Sequence, residues 1–101
     1  MKHVQPNQVP EGAQLIDVRE QHEWDVEHAA GATHIPMSEI TERLAEIDTT
    51  RDIYVICRSG KRSEQVSEYL EQSQGWAITN VLGGTEEWKA QGLPLIKIDS
   101  I

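Results

Sequence analysis

The chain has 101 residues, enough for one hydrophobic core and too few for two, so a single domain over residues 1–101 is expected. With 38% hydrophobic and 26% charged residues, and neither an internal repeat nor a low-complexity run, its makeup is that of a folded protein and not a disordered one. A net charge of -8 and a pI near 4.8 exclude the extended basic surface that nucleic-acid binding needs, and no apolar run approaches the roughly 20 residues of a membrane helix.

The first segment, KHVQP, reads as an edge strand. No apolar signal region surrounds it, so a cytoplasmic location is expected. QLIDV at Gln14–Val18 is the first strong strand, EQHEWDVEH is a weaker helical turn, and THIP at Thr33–Pro36 is a second strand. In SEITERLAEI, Ile40, Leu44 and Ile47 recur at i, i+4 and i+7 behind Ser38, which predicts an N-capped helix. DIYVIC at Asp52–Cys57 is the third strong strand. It leads into KRSEQVSEYLEQSQ, a helix with an apolar stripe of Val66, Tyr69 and Leu70 and a stop at Gly75. AITNVL at Ala77–Leu82 is another strand, and GGTEEWKAQG is a short helix with Thr85 as cap and Gly92 as terminator. The strands carry Val and Ile runs in place of strict alternation, which favours burial on both faces and hence a parallel sheet. Strands that alternate with helices imply right-handed crossovers and an α/β sandwich, whose ligands bind at the carboxyl ends of the strands. Cys57 stands at such an end.

One cysteine can form neither an internal disulfide nor a cysteine-rich metal site. The remaining roles are a buried core thiol, a reactive thiol or an intermolecular bridge. If Ile53–Ile56 is strand and the helix starts near Arg62 or Ser63, residues Arg58 to Lys61 must turn sharply, with Gly60 free to take a φ that other residues resist. The N–H groups of Arg58, Ser59, Gly60 and Lys61 then face inward as an anion cradle at a helix N-terminus, with Cys57 at its base and with Arg62 and Ser63 completing the candidate substrate-binding loop. A thiol of pKa about 8.5 is roughly 3% ionised at pH 7, whereas one lowered by two units is about three-quarters thiolate, which is the nucleophile. Arg58, Lys61 and Arg62 would draw an anionic substrate to it. Packing alone explains such an arrangement poorly.

Asp17 and Arg19 fall at the carboxyl end of a strand, either bordering the pocket or forming a structural ion pair, for example Arg19 with Glu23. His3, His22, His28 and His34 show no metal-ligand spacing, so no metal site is expected, and His28 is assigned to supporting a turn. Trp24, Trp76 and Trp88, in a chain without Phe, are expected to fill the core. The glutamates of the helices are expected on solvated faces.

CRSGKRS resembles the active-site loop of the rhodanese family, the thiosulfate sulfurtransferases. LIDVRE with HEW, EHAAGATHIP and VLGGTEEWKAQGLPL resemble three further blocks of that family in the same order, so the likeness covers Leu15 to Leu95. Glu27, Ala29 and Ala30 depart from the second block, where the family has glycine, isoleucine and proline; the change is expected to loosen a turn.

The resemblance implies a five-stranded parallel sheet with helices on both faces. It implies a two-step reaction in which Cys57 takes sulfur from thiosulfate as a persulfide and yields it to cyanide or a thiol, with no cofactor. The cationic loop favours thiosulfate over mercaptopyruvate. A persulfide carrier loaded by a sulfur-relay partner uses the same residues, and a noncatalytic interaction module is disfavoured by the intact loop. Cysteine phosphatases and arsenate-reducing enzymes space cysteine and arginine as C-x-x-x-x-x-R, whereas here the seventh residue is Ser63 and arginine comes one earlier, at Arg62. The shorter loop favours a sulfur donor.

Overall fold

A computed structural model describes residues 1–98. In chain order the strands are β1 (Lys2–Val4), β2 (Gln14–Asp17), β3 (Glu27–Ala29), β4 (Ala32–His34), β5 (Ile53–Ile56), β6 (Ile78–Val81) and β7 (Leu95–Lys97). The helices are α1 (Gln21–Trp24), α2 (Lys61–Gln74) and α3 (Gly84–Ala90). Five strands form one sheet in the order β1-β6-β5-β2-β4, with every neighbouring pair parallel. The expected five-stranded parallel α/β sheet is therefore present, including its N-terminal edge strand. β3 and β7 pair separately as an antiparallel ribbon that the sequence does not announce.

Period-two alternation along the strands sends neighbouring side chains into two cores. Ile53 and Val55 pack with Val66 and Leu70 of α2, whereas Ile56 packs with Trp88 of α3. Each such buried aliphatic side chain contributes about 1.5–3 kcal/mol, so covering both faces stabilises the sheet and explains its unalternating Val and Ile runs. The buried stripe of α2 is Ser63, Val66, Ser67 and Leu70, while Tyr69, expected in it, is exposed. Gly75 ends the helix in the left-handed conformation with φ +72.

The helix expected over SEITERLAEI is replaced by two 3-10 segments, Met37–Glu42 and Leu44–Glu46. Pro36 and not Ser38 precedes the first, and Arg43 separates the two. Arg43, at φ -120 and ψ 20, leaves the helical region and breaks the run. Arg43 instead holds Glu46 at 2.7 Å and Glu39 at 3.2 Å, and the tighter turns still bury Ile40 and Ile47. Trp88 lies in the core under α3 and Trp76 packs against the one under α2, but Trp24 does neither. Its indole stacks on His28 at 3.4 Å and on His34 at 4.7 Å. No helix of the described residues is long and apolar enough to cross a membrane.

The connection leaving β2 runs outward to β4, and the one leaving β5 runs the other way to β6. The carboxyl ends of β2 and β5 therefore flank the topological switch point, where a crevice opens in sheets of this kind. Cys57 directly follows β5.

Candidate active site

Val18 N–H donates to Ile56 O at 3.0 Å, which carries the β2–β5 pairing up to Cys57. The chain then turns through Arg58–Gly60 into α2, with Gly60 as N-cap at φ +109. A side chain there would be strained, and a Cβ would lie 3.3 Å from Gly83 N. This turn aims Gly60 N–H at Cys57 Sγ, 3.0 Å away. The expected sharp turn and its glycine are present; the helix starts one residue earlier than predicted.

From the opposite side, the start of α3 clamps the carbonyls of the same loop. Thr85 N–H and Thr85 Oγ1 donate to Cys57 O at 2.8 and 3.0 Å, and Glu86 N–H donates to Arg58 O at 3.1 Å. Thr85, expected to cap its own helix, serves the cysteine instead, and Gly83 opens α3 in the left-handed region. The first intrahelical-type bond of α2 runs from Glu64 N–H to Gly60 O at 3.2 Å. The N–H groups of Lys61, Arg62 and Ser63 thus have no acceptor within the helix and can meet an anion.

The three loop cations differ. Arg58 reaches Glu86 at 3.3 Å in the open, a pairing worth little. Arg62 grips both carboxylate oxygens of Glu23, at 2.6 and 2.7 Å. That bond foremost lowers the Glu23 pKa from 4.5 to about 2 against desolvation, and the Glu20 N–H adds to it. It also raises that of Arg62, with the charge of Cys57 a lesser contributor. Lys61 is exposed and, among the described residues, forms no ion pair. The expectation of three cations turned to a substrate is therefore corrected: two face carboxylates, because acidic α1 and α3 flank the loop.

Because the folded pKa of Glu23 is depressed, its stabilisation is present above about pH 4.5 and lost as pH falls toward 2. Glu23→Gln should cost about 1 kcal/mol near pH 7, with the gap to wild type closing between about pH 4.5 and pH 2 in urea titrations. A gap independent of pH would assign the loss to packing.

Asp17 and Arg19 are both buried, and they bind each other. Arg19 Nε donates to Asp17 Oδ1 and Oδ2 at 3.1 and 3.0 Å, and Arg19 Nη2 donates to Glu27 O at 2.7 Å. They offer a ligand no free surface; the ion-pair expectation is met, with Asp17 in place of Glu23. The departures at Glu27, Ala29 and Ala30 fall on β3 and the turn after it. Glu27 pairs with Lys89 at 3.1 Å, so the substitution adds a tie between β3 and α3. His28, expected at a turn, lies in β3 with Nδ1 3.1 Å from Trp24 O.

Ser63 is buried, and its Oγ lies 3.3 Å from Cys57 Sγ, 3.1 Å from Gly60 O and 2.5 Å from Asn80 Oδ1. Asn80 was not singled out from the sequence. Its signal was present, since an amide inside AITNVL must find buried partners if that segment is a strand. A cavity of about 870 Å³ opens at the other end of the sheet near Pro6, Leu15, Arg51 and Trp88, and Cys57 does not line it.

A thiol thus stands at the switch point of a parallel α/β sheet, with backbone donors gathered around it. The rhodanese-like domain model matches residues 4–91, and the chain belongs to that family. It is 37% identical over 82 residues to a sulfurtransferase of Allochromatium vinosum, covering 81% of this chain and 77% of the other. It is 32% identical over 76 residues to thiosulfate sulfurtransferase GlpE of Coxiella burnetii, covering 75% and 71%. With the "Putative sulfur carrier protein YrkF" of Bacillus subtilis it shares 35% identity over 78 residues, which is 77% of this chain but 42% of that protein's length. Among solved structures, a rhodanese-related protein of Thermoplasma volcanium superposes with a TM-score of 0.87 at 28% identity, over 98% of this chain and all of the other. A rhodanese-like domain protein of Staphylococcus aureus gives 0.83 at 31%, over 99% and 100%.

Proposed function

We propose that the chain is a sulfurtransferase that carries sulfane sulfur as a persulfide on Cys57, from thiosulfate to cyanide or a thiol acceptor. The observation that carries this reading is the Gly60 N–H placed 3.0 Å from Sγ, beside the unpaired N–H groups at the start of α2. A negative sulfur gains most from such donors, and they are in position before it forms. In the first step the Cys57 thiolate attacks the outer sulfur of thiosulfate. The bond from that sulfur to the sulfonate breaks, its electron pair leaves with sulfite, and Cys57 holds the persulfide anion. In the second, cyanide or a thiolate attacks the terminal sulfur, and the electron pair of the S–S bond returns to Cys57. Ser59 and Lys61 are exposed at the mouth of the loop, where they would meet the incoming anion. Cys57 is 1% exposed, which admits a slim donor end-on and disfavours a bulky one.

Incubation with thiosulfate should add the mass of one sulfur to the wild-type chain, and cyanide should then release thiocyanate. Cys57→Ser should fold with little change in stability and lose both signals. Failure of the wild type to load or turn over rejects thiosulfate as the donor.

A second reading, a persulfide carrier loaded by a partner protein, is favoured by the pairing of Arg58 with Glu86 and Arg62 with Glu23. These pairs leave less positive field to gather a free dianion. A persulfidated donor protein that loads Cys57 much faster than thiosulfate does would select this reading.

A further inference from the structure

We propose that Asn80 is a positioning residue whose amide, turned by His3, decides whether the Ser63 hydroxyl accepts a proton from Cys57 or donates one to it. A proton on His3 then favours the Cys57 thiolate. The inference rests on the sulfurtransferase reading only in taking Cys57 as the nucleophile.

The four side chains form a continuous chain of contacts from the buried sulfur to the exposed edge strand. Asn80 is 1% exposed, its Oδ1 is 2.5 Å from Ser63 Oγ, and its Nδ2 is 3.3 Å from His3 Nδ1. The parallel register sets His3 of β1 opposite Asn80 of β6, which keeps both on the α2 face of the sheet. The Ser63 hydroxyl has one proton and three neighbours, so its direction is a choice set by those neighbours.

With a neutral His3 whose Nδ1 is bare, Asn80 Nδ2 donates to the ring and Oδ1 accepts the Ser63 proton. Ser63 Oγ then faces Cys57 as an acceptor, an arrangement that suits S–H and offers nothing to S⁻. A protonated His3 can only donate from Nδ1. Asn80 answers by rotating its amide half a turn, a motion that preserves its shape, so that Oδ1 accepts from His3 and Nδ2 donates to Ser63 Oγ. The Ser63 O–H is then released to donate to the thiolate beside Gly60 N–H. Between the two states Cys57 loses one proton and His3 gains one, both exchanging with solvent, while Ser63 and Asn80 keep theirs. By linkage, whatever His3 protonation does for the thiolate, the thiolate does for His3 protonation.

Other charges near the chain are fixed or testable. Around His3, β6 contributes no charge, Lys2 is its neighbour on β1, and Glu71 of α2 is paired with the Met1 amine at 3.3 Å. Glu64 lies two helical turns before Glu71 on the same side of α2. Around Cys57 stand Lys61, the Arg62–Glu23 and Arg58–Glu86 pairs, and the buried Asp17–Arg19 pair.

The test follows Cys57 alkylation by iodoacetamide from about pH 5 to about pH 9, where imidazoles change charge. Wild type should react about tenfold faster than His3→Ala at the acid end, the size of one charge-assisted hydrogen bond, and the curves should meet at the alkaline end. In an Asn80→Ala background, His3→Ala should change nothing, and Glu64→Gln should retain the wild-type profile. Superimposed wild-type and His3→Ala curves, a gap that persists at alkaline pH, or a gap abolished by Glu64→Gln would overturn the proposal. His3→Ala alters an exposed residue and keeps the test valid should Asn80→Ala fold poorly. Alkylation needs no sulfur donor: a gap without thiosulfate loading rejects thiosulfate as the donor alone, and loading without a gap sinks the role of Asn80 and His3 alone.

Discussion

Gly84→Ala is expected to destabilise the fold by about 4 kcal/mol and to reduce sulfur loading of Cys57 by roughly a hundredfold. Gly84 takes φ +58, and a Cβ there would fall within 2.6 Å of Arg58 C and O and closer still to Cys57 O. These are backbone atoms of the loop, and no flexible side chain can give way. Relief requires moving either the loop or α3, which draws Thr85 off Cys57 O and shifts Sγ away from Gly60 N–H. Gly31→Ala supplies the control, because Gly31 also has a positive φ, +86, but a Cβ there would meet nothing within 4 Å. It should cost only the conformational penalty of about 1 kcal/mol and leave loading intact. Urea titrations followed by Trp fluorescence, with persulfide mass measured on the same samples, separate the two. Equal losses in both variants would refute the steric argument.

The same contact explains why the segments carrying the site were legible and their interlocking was not. Val and Ile runs mark β2, β5 and β6 because those strands are buried on both faces, and the cysteine, glycine and following amphipathic stripe mark the turn into α2. These are local signals. Partner choice is not local: Arg62 finds Glu23 39 residues away, and nothing near either residue predicts it. β3 and β7 are three residues each, and their pairing joins Glu27 to Lys97, too short and too distant for a periodicity to show. Asn80 posed a legible question, a buried amide in an apolar strand, but its answer needed the Ser63 and His3 contacts. Thr85 looked like a cap because caps are the commonest use of a threonine after glycines, and tertiary docking on Cys57 O overrode that preference.

Asp17→Ala should destabilise the protein by about 3–5 kcal/mol, because it leaves the Arg19 guanidinium buried without its counter-charge. Asp17 accepts from Arg19 N–H at 2.9 Å as well as from Nε, so the truncation also opens the turn after β2. That turn adjoins Ile56 through Val18 N–H, which links the pair to the base of the cysteine loop without placing it in contact with a substrate. The informative partner is the double variant Asp17→Ala with Arg19→Met. Removing both charges abolishes the desolvation penalty that the single variant exposes, and the methionine keeps much of the packing of the arginine stem. Two bonds remain unreplaced, that from Arg19 Nη2 to Glu27 O and that from the residue-19 N–H to Asp17 Oδ1, and only the first, worth about 1 kcal/mol, is a loss that Asp17→Ala alone does not share. The double variant should therefore be more stable than Asp17→Ala by about 2 kcal/mol or more, with sulfur loading near the wild-type level. A double variant as unstable as the single one would show that the carboxylate serves the turn itself and not the buried guanidinium. Loss of loading in a well-folded double variant would return Arg19 to the border of the pocket.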